Sequence, residues 1–359
     1  MENNIKIQLK QINNVSNPLS IHGIYPYRGK ISSIDAKNII NQLPQDGVLL
    51  DPFCGSGTII YEAAKHGLTA LGIDNNPLAI EVAKAKSSPK HIDYIEKCEK
   101  IIEQAKSDLE KKNFVPMPEN ALKSFEQNTA AEIMCVKNYY NNLDDYLKGA
   151  FLGAIALAAR GCNGYKWTST TVGKNIEPKT YVNFFDKFKN KVKKHESFLH
   201  DFNNKVSIIH GDSRKLSDLI KPKSVDFVFT SPPYFDGLDY TAYYGKLIYE
   251  IFNVDRNKIK KELIQTIDSY KADMEVVLKE IDKITKDNAL IIFVVGDKKV
   301  KDKIINGGEF FNGIKKASYI MERGYTGSSS KVFDVLNNTN RKEQIVVWEK
   351  TNGEVKIYD

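Results

Sequence analysis

The 359-residue chain contains no apolar run that approaches the about 20 residues needed to cross a bilayer. Its start, Met1-Glu2-Asn3-Asn4-Ile5-Lys6, lacks the basic-then-apolar order of a secretory signal. A cytoplasmic protein with no membrane partner is expected. Cysteine is scarce as well: Cys54, Cys98, Cys135 and Cys162 stand far apart and form no CxxC or Cys/His cluster. A disulfide framework does not suit a chain of this length, and no zinc-ligand spacing is present, so no metal site is expected. Internal repeats and low-complexity tracts are absent too. The remaining composition is that of an ordinary globular protein, with 42% apolar and 27% charged residues. A net charge of +7 permits a polyanionic partner without requiring one.

What the chain does have is an alternation of strand and helix. Residues 47–51 read as a short buried strand running into the turn Pro52-Phe53-Cys54-Gly55-Ser56-Gly57-Thr58. A helix is expected over 59–66, ended by Gly67, then a strand over 69–74 and a helix over 77–86 with Pro77 in its first turn. The pattern resumes with strands over 206–210, 225–230, 289–295 and 344–348, and with helices over 240–252 and 258–286. Short links between alternating elements imply a parallel, doubly wound sheet. Residues 88–205 are too many for a crossover helix, which needs about a dozen residues, and their periodicity is helical. They are read as an inserted subdomain, most apolar over 151–160. The expected division is 1–87 (cofactor-binding half), 88–205 (helical insertion) and 206–359 (catalytic half).

Two motifs carry chemistry. The first is the strand, Asp51, Gly-x-Gly turn and helix, which bring backbone N–H groups and a helix N-terminus to one point. Asp74 ends the next strand about twenty residues on, where an acidic side chain accepts a ribose diol. The second is Ser231-Pro232-Pro233-Tyr234, directly after the strand Val225–Thr230. Its prolines fix φ and carry no N–H, so a hydroxyl, outward carbonyls and a flat ring stand together at a strand end. That set suits a planar base gripped by its exocyclic amino group. The plainer alternatives are a Pro-rich turn after a strand, a helix cap for Asp51, an N-cap for Asp212, and packing alone for Tyr25 and Tyr27.

In order along the chain, these pieces resemble the S-adenosylmethionine-dependent DNA amino-methyltransferases of bacterial restriction–modification systems. The stretch from Asp51 to Thr58 is similar to their cofactor loop, Asp74-Asn75-Asn76-Pro77 to their ribose-binding strand end, and Ile209-His210-Gly211-Asp212-Ser213 to the turn that meets the adenine amino group. Thr230-Ser231-Pro232-Pro233-Tyr234 resembles their catalytic loop, and Gly237-Leu238-Asp239-Tyr240 a recurring continuation of it. His22-Gly23-Ile24-Tyr25-Pro26-Tyr27-Arg28-Gly29-Lys30 is similar to a segment of the cytosine-N4 enzymes that closes over the methionine end. The likeness covers residues 20–90 and 205–350; the insertion matches only loosely.

The resemblance implies a mostly parallel, seven-stranded, Rossmann-like sheet with a helical insertion. It implies S-adenosylmethionine as cofactor, held by Tyr25, Tyr27, Asp51, Phe53, Cys54, Gly55, Gly57, Thr58, Asp74, Asn75, Asp212 and Ser213. Catalysis would fall to Ser231, Pro232, Pro233 and Tyr234, with the Ser231 hydroxyl and Pro232 carbonyl as acceptors and Tyr234 as a stacking face for an extruded base. No covalent cysteine is implied, because no Pro-Cys dipeptide of the carbon-5 cytosine enzymes occurs. Double-stranded DNA is the expected substrate, and a cognate restriction endonuclease a partner without a stable complex. Ser at the first loop position favours cytosine N4; adenine-N6 or RNA amino methylation is the alternative, and a silent S-adenosylmethionine-binding module a second. A nicotinamide dehydrogenase fails on the loop spacing. Phosphate contacts are expected from the lysines of 174–205 beside the Tyr165-Lys166-Trp167 loop, with 297–342 as the rival reader of sequence.

Overall fold

A computed structural model of the chain describes residues 19–27, 31–90, 92–164, 180–203, 205–233, 239–242, 244–300, 303–323 and 342–358. Its ten strands are β1 Val48–Asp51, β2 Thr69–Asp74, β3 Val206–His210, β4 Val225–Thr230, β5 Thr285–Gly296, β6 Lys298–Val300, β7 Lys303–Ile305, β8 Tyr319–Arg323, β9 Glu343–Thr351 and β10 Glu354–Val355. The main sheet runs β10-β9-β5-β4-β1-β2-β3, with β8 on β9, while β6 and β7 form a separate hairpin.

From β5 to β3 all pairings are parallel. The strand cores Leu49-Leu50 and Val228-Phe229 are apolar without interruption because helices cover both faces. β9 enters antiparallel along β5 from Leu290↔Glu349 to Gly296↔Glu343. Among the described residues the sheet has eight strands rather than the expected seven. The added strand, β10, folds back on β9 through Asn352-Gly353, both at positive φ as a tight hairpin turn demands. Strand order reverses between β1 and β4: the chain moves outward through β2 and β3 on one side, then through β4 and β5 on the other. Open α/β sheets bind ligands at the carboxyl ends of strands at such a point.

One sheet face packs on the helices Ser33–Ile40 and Thr58–His66 through Ile39, Leu49, Ile59, Ile60, Phe229 and Ile292. The other packs on Ile267–Ile284 and Gly307–Ile314 through Met274, Ile281, Phe311 and Trp348. The expected helix over 258–286 is two helices, Arg256–Glu262 and Ile267–Ile284. The chain is extended at Leu263 (ψ 143°) and again at Thr266 (ψ 125°), the N-cap position of the second helix. Thr266 takes the N-cap position without a side-chain capping bond, and the periodicity of 258–286 does not register the break.

Between β2 and β3 lie the helices Tyr94–Glu110, Glu119–Leu122, Gln127–Lys137, Asp145–Cys162 and Phe184–Glu196. Their apolar core continues into Leu78, Val82 and Ala85 of the helix Pro77–Lys86 and into Tyr249 of Tyr244–Ile251. Gly153 is needed at this contact, since a Cβ there would sit 1.9 Å from the Ile24 carbonyl oxygen. Residues 20–27 are held between this layer and the sheet domain: Lys191 Nζ donates to the Gly23 carbonyl (2.8 Å), His195 Nδ1 to the Ser20 carbonyl (2.9 Å), and His22 Nε2 lies 2.8 Å from Glu62. Burial lowers the His195 pKa to about 4, which leaves a neutral donor.

The lysines expected to face phosphate divide accordingly. Lys191 is buried, Lys189 pairs with Glu99 at 2.5 Å, and Lys193 and Lys194 are exposed. Lys174, Lys179 and the Tyr165-Lys166-Trp167 loop lie outside the described residues, as do 301–302 and 324–341 of the rival region. Among the described residues no helix is long and apolar enough to cross a membrane.

Candidate cofactor and catalytic cleft

The carboxyl ends of β1 and β4 are joined by one bond. Thr230 Oγ1 donates to Asp51 Oδ1 at 2.6 Å, and the Phe53 N–H adds a second at 3.1 Å. Asp51 is buried, and burial pushes its pKa up to about 7 despite these two donors. Its role in this geometry is to clamp the two strand ends, not to face a ligand.

Beyond Asp51 the loop turns on Gly55 (φ 48°) and Gly57 (φ 72°). A Cβ on Gly57 would stand 2.9 Å from Ala83 Cβ, so only glycine lets the loop lie on the helix Pro77–Lys86. The loop is fixed from below: the Cys54 N–H bonds the Ile73 carbonyl (2.9 Å), and the buried Lys86 Nζ donates to Ser56 Oγ (3.0 Å). Burial holds the Cys54 thiol protonated, well above the ordinary cysteine range. From above, Asp74 Oδ2 accepts the Gly55 N–H at 2.8 Å and Oδ1 accepts the Asn76 N–H at 2.8 Å. Burial raises the Asp74 pKa to about 6. Ser213 Oγ donates to the Pro52 carbonyl and pins the turn after β3 to the same loop.

These strand ends form the floor of a cleft enclosing about 610 Å³, its open mouth included. Tyr27, Phe53, Gly55, Asp74, Asn75, Asp212, Ser213, Ser231 and Pro233 line it, nine of the sixteen residues singled out from the sequence. Six of the others are described and do not line it. Tyr25 is 2% exposed inside the helical core, because residues 20–27 turn it inward. Cys54 and Thr58 are buried under the loop, Gly57 is spent on the helix contact, and Pro232 is buried between Ser231 and Pro233. Tyr234 lies outside the described residues, as do Arg28, Gly29 and Lys30.

Asp212 departs from its expected part as well. It caps the short helix Ser213–Lys215 through the Arg214 N–H (2.9 Å) and pairs with the Arg214 guanidinium (Nη2 at 2.6 Å). Arg214 also reaches Asp273 (2.9 Å) and the Glu262 carbonyl (3.2 Å). The Asp212 carboxylate therefore contributes a wall more than a free acceptor.

Sequence reasoning missed the roof. Glu262, Leu263 and Ile264, where the expected helix breaks, close the cleft together with Tyr240. The Glu262 carbonyl accepts Asn75 Nδ2 at 3.2 Å, a contact across 187 positions. The Pro233 carbonyl accepts the Tyr270 hydroxyl at 2.6 Å. Ser231 Oγ and the Pro232 carbonyl, by contrast, have no hydrogen-bond partner among the described residues.

A doubly wound sheet, a glycine turn bonded by two acidic strand ends and a Ser-Pro-Pro loop meet at the switch point. Residues 35–294 match the D12 class N6 adenine-specific DNA methyltransferases, and the chain belongs to that family. It is similar to the type II methyltransferase M.MvaI of Kocuria varians, 25% identical over 333 residues, covering 85% of this chain and 64% of the relative. It is also similar to M.MjaII of Methanocaldococcus jannaschii, 22% identical over 391 residues, covering 78% and 72%. The chain thus spans somewhat less than two thirds of the Kocuria varians enzyme. A SAM-dependent methyltransferase from Methanosarcina mazei is a distant structural likeness (10% identity, TM-score 0.35, 87% and 95% covered).

S-adenosylmethionine is the cofactor, and the cleft fits it. Each Asp74 oxygen takes one backbone N–H, which leaves each a lone pair for a ribose hydroxyl. Tyr27, Phe53 and Tyr240 line the same cleft.

Proposed function

We propose that this chain is the modification enzyme of a type II restriction–modification system, methylating an exocyclic amino group in double-stranded DNA at a specific site. The observation that carries this reading is Ser231 Oγ, which lines a cleft floored by Asp74 and has no hydrogen-bond partner among the described residues, next in the chain to a Pro232 carbonyl that none of the described residues bonds. An exocyclic amino group is a poor nucleophile because its lone pair is delocalised into the ring. Two acceptors off the base plane take both N–H bonds and turn the nitrogen toward sp³, freeing that lone pair. Tyr270 holds the neighbouring Pro233 carbonyl, so the acceptors are fixed before substrate arrives. When bound, S-adenosylmethionine supplies an electrophilic methyl on sulfur; the chain's contribution is alignment. The base leaves the duplex first, at a cost of about a few kcal/mol that pocket and phosphate contacts offset. Tyr234 is assigned the stacking face. A cognate endonuclease reads the same DNA site without a stable complex.

Two observations favour different bases. Ser231 in the first loop position favours cytosine N4, the reading drawn from the catalytic loop. The family's description favours adenine N6. DNA from a methylation-free host expressing the chain is expected to contain an amino-methylated base. Mass spectrometry of its nucleosides separates N4-methylcytosine from N6-methyladenine, and sequencing of modified positions gives the site. DNA with neither base would overturn the proposal.

A further inference from the structure

The roof meets the strand ends at the Glu262 carbonyl. Glu262 is the last residue of the helix Arg256–Glu262, and the final carbonyls of a helix have no intrahelical donor. This carbonyl accepts Asn75 Nδ2 (3.2 Å), from the turn after β2, and Arg214 Nη2 (3.2 Å), from the turn after β3. The other bonds of Arg214 go to two carboxylates. Nε bonds both Asp212 oxygens (3.0 and 3.1 Å), and Nη2 bonds Asp212 Oδ2 (2.6 Å). Nη1 bonds Asp273 Oδ1 (2.9 Å) on Ile267–Ile284, one turn beyond the Tyr270 that holds the Pro233 carbonyl. One guanidinium thus joins the turn after β3, the roof and the helix that follows the roof. Two of its three partners, Asp212 and Glu262, line the cleft, while Arg214 itself does not.

We infer that Arg214 is a positioning residue for S-adenosylmethionine, holding the Asp212 wall and the Glu262 roof of the cleft at a fixed separation; this rests on the cofactor and not on the base proposed above. An isolated exposed ion pair is worth little. Here the Arg214 side chain is 30% exposed and its partners Asp212 and Asp273 are 23% and 17% exposed, so solvent screens the pairs less than it would at the surface. The planar guanidinium fork reaches three elements at once, which the single point charge of a lysine on its flexible stem cannot do. Without Arg214 the two carboxylates lose their shared cation, and the Glu262 carbonyl is left with the Asn75 bond.

The test measures S-adenosylmethionine binding to the full chain by titration calorimetry, with melting temperature by scanning calorimetry. Arg214→Gln is expected to weaken affinity about 10-fold at the binding stoichiometry of wild type. Arg214→Lys keeps the charge without the fork, and its affinity is expected between that variant and wild type. Asp273→Asn removes the charge of the one partner that does not line the cleft, and is expected to weaken affinity about threefold. In a methylation assay Arg214→Gln should raise the KM for the cofactor while kcat at saturation stays within about threefold of wild type. Affinity of Arg214→Gln within about twofold of wild type overturns the role. So does a loss confined to stoichiometry or melting temperature, the mark of a residue that only stabilises the fold. If Arg214→Gln does not fold, Asp273→Asn decides, and wild-type affinity in that variant overturns the role. A chain whose variants bind the cofactor as expected but which methylates no DNA overturns the proposed function and leaves this role standing.

Discussion

The floor and the roof of the cleft are built differently. The floor is made of strand ends that each carry a bond two residues on, Asp51 to the Phe53 N–H, Asp74 to the Asn76 N–H and Asp212 to the Arg214 N–H, besides the longer-range bonds of Asp74 to Gly55 and Ser213 to Pro52. The roof and the catalytic loop are made of distant partners, with Asn75 reaching Glu262 and Tyr270 reaching Pro233. The floor presents carboxylates and backbone donors suited to a nucleoside. The loop presents two acceptors suited to an amino group. The floor should therefore set cofactor affinity and the loop the rate, with Asp51–Thr230 as the bond that joins them.

The sharpest way to break that division is Ser231→Ala. The hydroxyl is one of two acceptors and touches no floor residue by hydrogen bond, so its loss should lower single-turnover methylation by about 100-fold or more, the scale for removing one preorganised hydrogen-bonding group. Cofactor affinity by calorimetry should not move. A fall in affinity of the same size would mean that Ser231 belongs to the floor.

Asp74→Ala is the reciprocal test, with a smaller expected effect. Removing a charged hydrogen-bond partner costs about 1.5–3 kcal/mol, equivalent to about 10- to 100-fold in S-adenosylmethionine affinity. At saturating cofactor the methylation rate should stay near wild type. Equal affinity in the variant would remove Asp74 from the cofactor site, and a lost rate at saturation would erase the division between floor and loop.

The same contrast explains what could be read in the sequence. β2, β3, β4 and the helix Pro77–Lys86 were expected with the bounds they have, because each is an uninterrupted apolar or periodic run closed by Gly, Pro or Asp. Asp51, Asp74 and the glycine turn were legible because a strand end, a tight turn and a helix start leave a contiguous signature. The break at residues 263–266 was not, since the periodicity of 258–286 carries straight through it and the bonds that hold it reach Asn75 and Arg214 from other elements. Tyr25 was misplaced for a related reason. A tyrosine beside a family-like segment looks available to a cofactor, but only the packing of the helical layer shows that it points inward. The pairing of Arg214 with Asp212 lies two residues away and was open to inspection, but an acidic residue after a strand reads as a ligand before it reads as a cap.

Asp51 carries the smallest expected effect and tests the joint between the two regions. Its folded pKa of about 7 lies above the unfolded value near 3.8. Between those values the native state holds a proton that the unfolded chain has released, so this group's contribution to stability is full at low pH and is lost as pH rises through about 7. Asp51→Asn keeps an oxygen to accept from Thr230 Oγ1 and the Phe53 N–H but cannot ionise. Relative to wild type, the variant's melting temperature should rise between pH 5 and pH 8, by about 2–4 °C for each kcal/mol of ionisation cost avoided. A difference that stays flat across that range would mean that Asp51 titrates alike in both states. A difference that shrinks would mean that the charged carboxylate stabilises the joint, so that the strand ends are tied by an ionic bond and not by a shared proton.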